Sequence, residues 1–151
     1  MLVHELMSVP AVVAPPSLSL PDAAHLMKSR GIRRLPVVDG TRLVGIVTDR
    51  DIREALPSKI STLSPWEATT RLAAVGVQDV MRRSVLTTTP GADARDAAHT
   101  LLHHRVGALP VIDDVGAVVG VLTVTDVLRD YARPALDPQN AATRDAAEAR
   151  P

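Results

Sequence analysis

A chain of 151 residues, 46% apolar and 23% charged, has the composition of a globular protein and enough length to bury a core. Its 17 basic and 17 acidic residues cancel, and one Trp, one Tyr and no Phe leave little for bases to stack on, so nucleic-acid binding is not expected. The absence of cysteine excludes disulfides, thiolate catalysis and cysteine-held zinc. With no apolar run of membrane-spanning length and no signal-peptide pattern, a soluble cytoplasmic protein without a membrane partner is expected.

In chain order, a short apolar stretch, Ala11–Ala14, runs into proline and predicts a first strand. Ser19-Leu20-Pro21-Asp22 carries a helix N-cap signal, and the helix it opens is expected to bury Ala23, Leu26 and Met27. Gly31 suits its C-terminal cap. Two β-rich runs, Leu35–Val38 and Leu43–Val47, are joined by Asp39-Gly40-Thr41-Arg42 and predict a hairpin. The second run leads into Thr48-x-x-Asp51, the start of a short helix that Pro57 should stop. Ser64-Pro65-Trp66-Glu67 then opens a connecting helix to about Ala74, with Trp66 expected to pack.

The rest repeats the first half. An offset of 74 aligns Met7 with Met81, Asp22 with Asp96 and Pro36 with Pro110; from Gly45 the offset becomes 75, pairing Gly45 with Gly120 and Asp51 with Asp126. The extra residue falls in the turn Asp113-Asp114-Val115-Gly116, where added length costs little. The second copy therefore predicts a strand at Val85–Thr88, a helix burying Ala97, Leu101 and Leu102, a hairpin, and a last helix to Tyr131 with Pro134 as terminator. The expected fold is mixed α/β (α+β), two tandem β-α-β-β-α repeats related by pseudo-twofold symmetry. Residues 1–57 form the first repeat, 58–76 the linker and its helix, 77–133 the second repeat, and 134–151 a disordered tail.

The pattern with chemical content is glycine, two apolar residues, then Thr-x-x-Asp, at Gly45–Asp51 and again at Gly120–Asp126. One reading is structural: threonine at the N-cap and the acid at the third helical position form a capping box. The other reading uses the same geometry for a ligand. A helix N-terminus attracts phosphate, the hydroxyl adds a contact, and a carboxylate can accept both hydroxyls of a ribose.

With Met7 and Met81 ahead, Leu-Pro-Val-x-Asp next and the Thr-x-x-Asp junction last, twice over, the chain resembles a pair of CBS domains, the Bateman module, over about residues 1–133. The resemblance implies two clefts related by pseudo-twofold symmetry that take adenosine-containing ligands: AMP, ADP, ATP or S-adenosylmethionine. By it, Asp51 and Asp126 hold ribose hydroxyls, and Thr48 and Thr123 contact phosphate or ribose. Val13 and Thr87, with Leu35-Pro36 and Leu109-Pro110, line the base pocket. A homodimer is implied on the same ground, with no cofactor required and the protein partner unknown.

The copies differ in their cations. Arg33-Arg34 faces Gly107-Ala108 in the alignment, and Arg82-Arg83 faces Ser8-Val9. Arg34 and Arg82 are therefore candidate phosphate contacts in two unequal sites, against the alternative that they are simply solvated. His25 and His99 occupy equivalent helix positions and suggest a packing role; His103-His104 lack metal-pair spacing, and no metal site is expected. Neither a nucleophile elbow nor a phosphate-binding Walker loop occurs, so catalysis is not expected. The competing function is a structural dimerisation module with empty clefts.

Overall fold

The computed structural model describes residues 1–55 and 64–136. A one-turn helix, α1 (Val3–Leu6), precedes α2 (Leu20–Arg30), whose first turn is closed by Ser19 Oγ accepting the Asp22 N–H at 3.2 Å. Gly31, at φ 62°, ends α2 in the left-handed conformation that glycine adopts without a Cβ clash. Strands β1 (Arg34–Asp39) and β2 (Arg42–Thr48) form an antiparallel hairpin around Gly40-Thr41, with a register shift between Val37 and Val38. β2 passes directly into α3 (Asp49–Ala55), and the linker contributes α4 (Pro65–Ala74). After a single 3-10 turn at Val77–Asp79 the pattern recurs: α5 (Ala94–His103), β3 (Ala108–Ile112), β4 (Val118–Thr123) and α6 (Val124–Leu136). The register shift recurs too, between Val111 and Ile112.

Several expectations change in detail. The first strand of each repeat shrinks to one bridging residue. Ala14 lies parallel to β1, donating to Pro36 O and accepting from Val38 N, both at 2.9 Å, and Thr88 does the same beside Pro110 and Ile112. The prolines that follow, Pro15-Pro16 and Pro90, have no N–H to extend a ladder. Leu102 is 80% exposed, because Ala97 and Leu101 take the inward i, i+4 positions and the next residue turns about 100° away. Trp66 is also 80% exposed and His25 and His99 lie on the surface, so none of the three packs in the core. Pro134 sits within the last turn of α6 instead of stopping it; the fixed φ of proline is helical, and only one N–H is lost. Pro57 and most of the expected disordered tail lie outside the described residues.

The two cores exchange their leading segments. Val77, from the start of the second copy, is fully buried with Leu20, Leu35, Val37, Val47 and Ile52 of the first. Val3, from the start of the first copy, is fully buried with Leu101, Leu109, Val111 and Leu122 of the second. Equivalent backbone bonds seat both segments: Val77 N–H to Leu18 O at 2.8 Å, and Val3 N–H to Ala92 O at 2.9 Å. The motif glycines permit the crossing. A Cβ on Gly45 would lie 2.8 Å from Met81 Cγ and 3.0 Å from Arg82 O, and one on Gly120 would lie 2.7 Å from Met7 Sδ and 3.0 Å from Ser8 O. Each exchanged valine, taken fully out of water, contributes about 1.5–3 kcal/mol toward holding the halves together.

Candidate functional site

Both Thr-x-x-Asp junctions fold as reciprocal capping boxes. At β2–α3, the Thr48 N–H donates to Asp51 Oδ2 at 2.9 Å and the Asp51 N–H donates to Thr48 Oγ1 at 3.0 Å. At β4–α6, the Thr123 N–H and hydroxyl both donate to Asp126 Oδ2, at 2.8 and 2.6 Å, and the Asp126 N–H returns a bond to Thr123 Oγ1 at 3.2 Å. Asp126 is 6% exposed and is the buried charged residue of the described chain; Asp51 is half-buried. Neither carboxylate needs a ligand to be satisfied, since the strand-to-helix turn supplies donors of its own.

What separates the second junction from a plain cap is its surroundings. A cleft of about 470 Å³ opens over Thr123 and Asp126 and is built from both repeats. Repeat one supplies an apolar wall of Pro10, Ala11, Val12 and Ile32, together with Arg33 and Arg34. Repeat two supplies Thr123, Asp126 and Arg129, the last donating from Nη1 to Asp126 Oδ1 at 3.2 Å. A ligand in this space would meet an apolar face, a carboxylate at a helix start and a group of cations.

The predicted residues divide accordingly. Thr123, Asp126 and Arg34 come together in this cleft, although Arg34 is 92 positions from Asp126 along the chain. Thr48 and Asp51 meet at the equivalent junction, and Arg82 is held beside it, its backbone paired with Ile46 at 2.9 and 3.0 Å and its side chain exposed. Val13 and Thr87 are half-buried next to the bridging residues, and it is Val12, not Val13, that faces the described cleft. Leu35, Pro36, Leu109 and Pro110 are fully buried and do not line it. Leu35 and Leu109 belong to the two hydrophobic cores, and the carbonyls of Pro36 and Pro110 accept from the Ala14 and Thr88 N–H groups.

Two contributors were missed from sequence. Arg129 is visible as an i, i+3 neighbour of Asp126 on a helix, a spacing that brings side chains together. Gly107 matters for what lies on it: the Arg34 guanidinium rests where its Cβ would be, with Nε 2.7 Å away, so any side chain at 107 would displace the arginine. No local signal marks that contact. Elsewhere the His99 and His103 rings stack at 5.8 Å, but among the described residues no group of three or more His, Cys, Asp or Glu could hold a metal ion. No helix of the described chain is long and apolar enough to cross a membrane.

Comparison with known proteins adds to this geometry. The chain is 35% identical over 122 residues to protein MJ1225 of Methanocaldococcus jannaschii, covering 80% of this chain and 44% of that one. It spans less than half of that relative, and only 19–23% of the enzymes it also matches. Among solved structures, the CBS domain pair of protein MJ0100, in complex with 5'-methylthioadenosine and S-adenosyl-L-methionine, superposes with a TM-score of 0.72 at 29% identity, over 87% of this chain and 99% of that one. CBSX2 of Arabidopsis thaliana, in complex with AMP, gives 0.71 at 30% identity, over 87% and 96%. Both copies of the repeat match the CBS domain pattern, at residues 3–58 and 77–133, and their exchanged cores and paired hairpins form one such pair: the chain belongs to the CBS domain family.

Proposed function

We propose that the chain is a regulatory module that binds an adenosine-containing ligand in the cleft between its repeats. The observation that carries this reading is the position of Asp126: a buried carboxylate at the start of a helix, lining a two-repeat cleft whose other lining residues include Pro10, Val12 and Ile32 and three arginines. That is the chemistry a nucleotide requires, with a flat apolar base, a vicinal diol and an anion. In this reading Asp126 accepts ribose hydroxyls, Thr123 contacts ribose or phosphate, Val12 and Ile32 flank the base, and Arg34 faces the phosphate. Thr48, Asp51 and Arg82 serve the equivalent junction of the other repeat. Support comes from MJ0100 and CBSX2, crystallised with adenosyl compounds. The role is binding and relay rather than catalysis, in the cytoplasm and as a homodimer, with occupancy passed on because the ligand favours one arrangement of the two repeats over another.

Titration calorimetry with AMP and with S-adenosylmethionine tests the reading, alongside thermal melting. A bound ligand at a hundred times its dissociation constant stabilises the fold by about 2.7 kcal/mol, and Asp126→Ala should remove that shift. No heat and no shift with either compound would favour the second reading, a dimerisation module whose acids act only as helix caps. Their internal satisfaction by Thr48 and Thr123 is the observation on that side.

A further inference from the structure

We infer that Arg129 makes the Asp126 cleft selective for phosphorylated nucleosides by exchanging partners, from Asp126 in the empty cleft to the ligand's phosphate in the filled one. The inference rests on the adenosyl-ligand reading above and names the ligand class within it.

Of the two carboxylate oxygens, Oδ2 is taken by two short bonds from Thr123, whereas Oδ1 accepts Arg129 at 3.2 Å. The oxygen with capacity for a ribose hydroxyl is thus the one that Arg129 covers. Arg129 is 68% exposed, against 6% for Asp126, and is held through a single i, i+3 contact, so it can swing away when a ribose hydroxyl takes its place as donor to Oδ1. Once released it stands in a cleft that already holds Arg33 and Arg34, with Asp126 as the opposing charge. Adenosine would claim Oδ1 and leave a cleft lined by three arginines with less anion than before. A nucleotide claims Oδ1 and brings a phosphate, which the planar fork of an arginine grips through two parallel bonds. The other repeat lacks the device: the position equivalent to Arg129 is Glu54, which pairs with Arg50 at 2.9 Å.

The test compares AMP with adenosine by calorimetry on the full chain, in the wild type and in Arg129→Gln. The expected result is AMP binding at least about tenfold more tightly than adenosine in the wild type, the scale of one charge-assisted pair, with most of that ratio lost in the variant while adenosine is held as well or better. Arg129→Lys, which keeps the charge without the fork, should retain part of the ratio. Equal losses for both compounds, or an unchanged ratio, overturn the inference and leave the adenosyl reading standing. Binding of neither compound to the wild type overturns the inference, and the further absence of S-adenosylmethionine binding overturns the adenosyl reading itself. An unchanged melting temperature of the unliganded Arg129→Gln protein separates all of these from a folding defect.

Discussion

At Thr48–Asp51 the carboxylate is half-buried and, among the described residues, accepts from the Thr48 N–H alone; at Thr123–Asp126 it is 6% exposed and accepts from the threonine N–H, the threonine hydroxyl and Arg129. The local grammar is the same, yet the electrostatic states differ, and the cause lies three residues along each helix. Glu54 turns to Arg50, and among the described residues no cation pairs with Asp51, whereas Arg129 turns to Asp126. A duplicated motif therefore preserves its backbone geometry while single exposed substitutions retune what its acid can do. The same holds at the helix C-termini. Gly31 closes α2 at φ 62°, and Arg105, its counterpart after α5, holds the same left-handed conformation at φ 53° with a side chain that disfavours it.

The largest effect expected from this comparison is on stability without any ligand. Asp126→Ala removes the acceptor of a part-buried N–H and hydroxyl and should cost about 2–3 kcal/mol, against about 1 kcal/mol for Asp51→Ala as a plain cap loss. Urea unfolding of both variants decides it, and equal losses would mean that burial and the Thr123 hydroxyl bond add nothing to the second box. A smaller contrast is expected at the helix ends. Gly31→Ala should destabilise by about 1 kcal/mol, while Arg105→Gly should stabilise by about 0.5 kcal/mol, relief of the left-handed backbone being partly offset by the freer unfolded chain. If Arg105→Gly instead lowered stability, its side chain would be contributing a contact that outweighs the backbone cost.

The smallest effect belongs to the linker, whose exposed box at Ser64 and Glu67 serves as the reference. The Ser64 N–H donates to Glu67 Oε2 at 2.9 Å and the Glu67 N–H to Ser64 Oγ at 3.2 Å. The bonds from the Ser64 backbone and side chain hold the Glu67 carboxyl below its ordinary value of 4.5. A lowered folded-state value means that the carboxylate's contribution to the cap is complete above about 4.5 and fades as pH falls through the folded value. A carboxyl NMR titration should give a midpoint below 4.5, and Ser64→Ala should move it back up. A midpoint unmoved by that substitution would show that the box does not form in solution.

Much of this molecule was legible from local signals. The duplication, the hairpins around Gly40 and Asp113, and the caps at Ser19, Thr48, Ser64 and Thr123 depend on residues within a few positions of each other, where turn and capping chemistry operates. Burial was legible only in part. Spacing places Ala97 and Leu101 inside, whereas Leu102 and Trp66, expected inside as well, are each 80% exposed. The inequality of the two junctions was likewise visible as unmatched arginines, without any indication of which acid each would face.

That pairing was decided by tertiary structure. Because the leading segments cross, Val3 and Met7 pack on the second repeat while Val77 and Met81 pack on the first, and the chain around Pro10–Val12 is carried to the end of β4. Arg33 and Arg34 of the first repeat thus share a cleft with Asp126 of the second, and Arg34 settles on Gly107. The sequence by itself determined two equivalent helix starts, each able to hold its own acid, since caps and turns are made by neighbours. Only the packing of one half against the other, driven by burial of side chains that lie far apart along the chain, decided which cations and which apolar wall surround each acid.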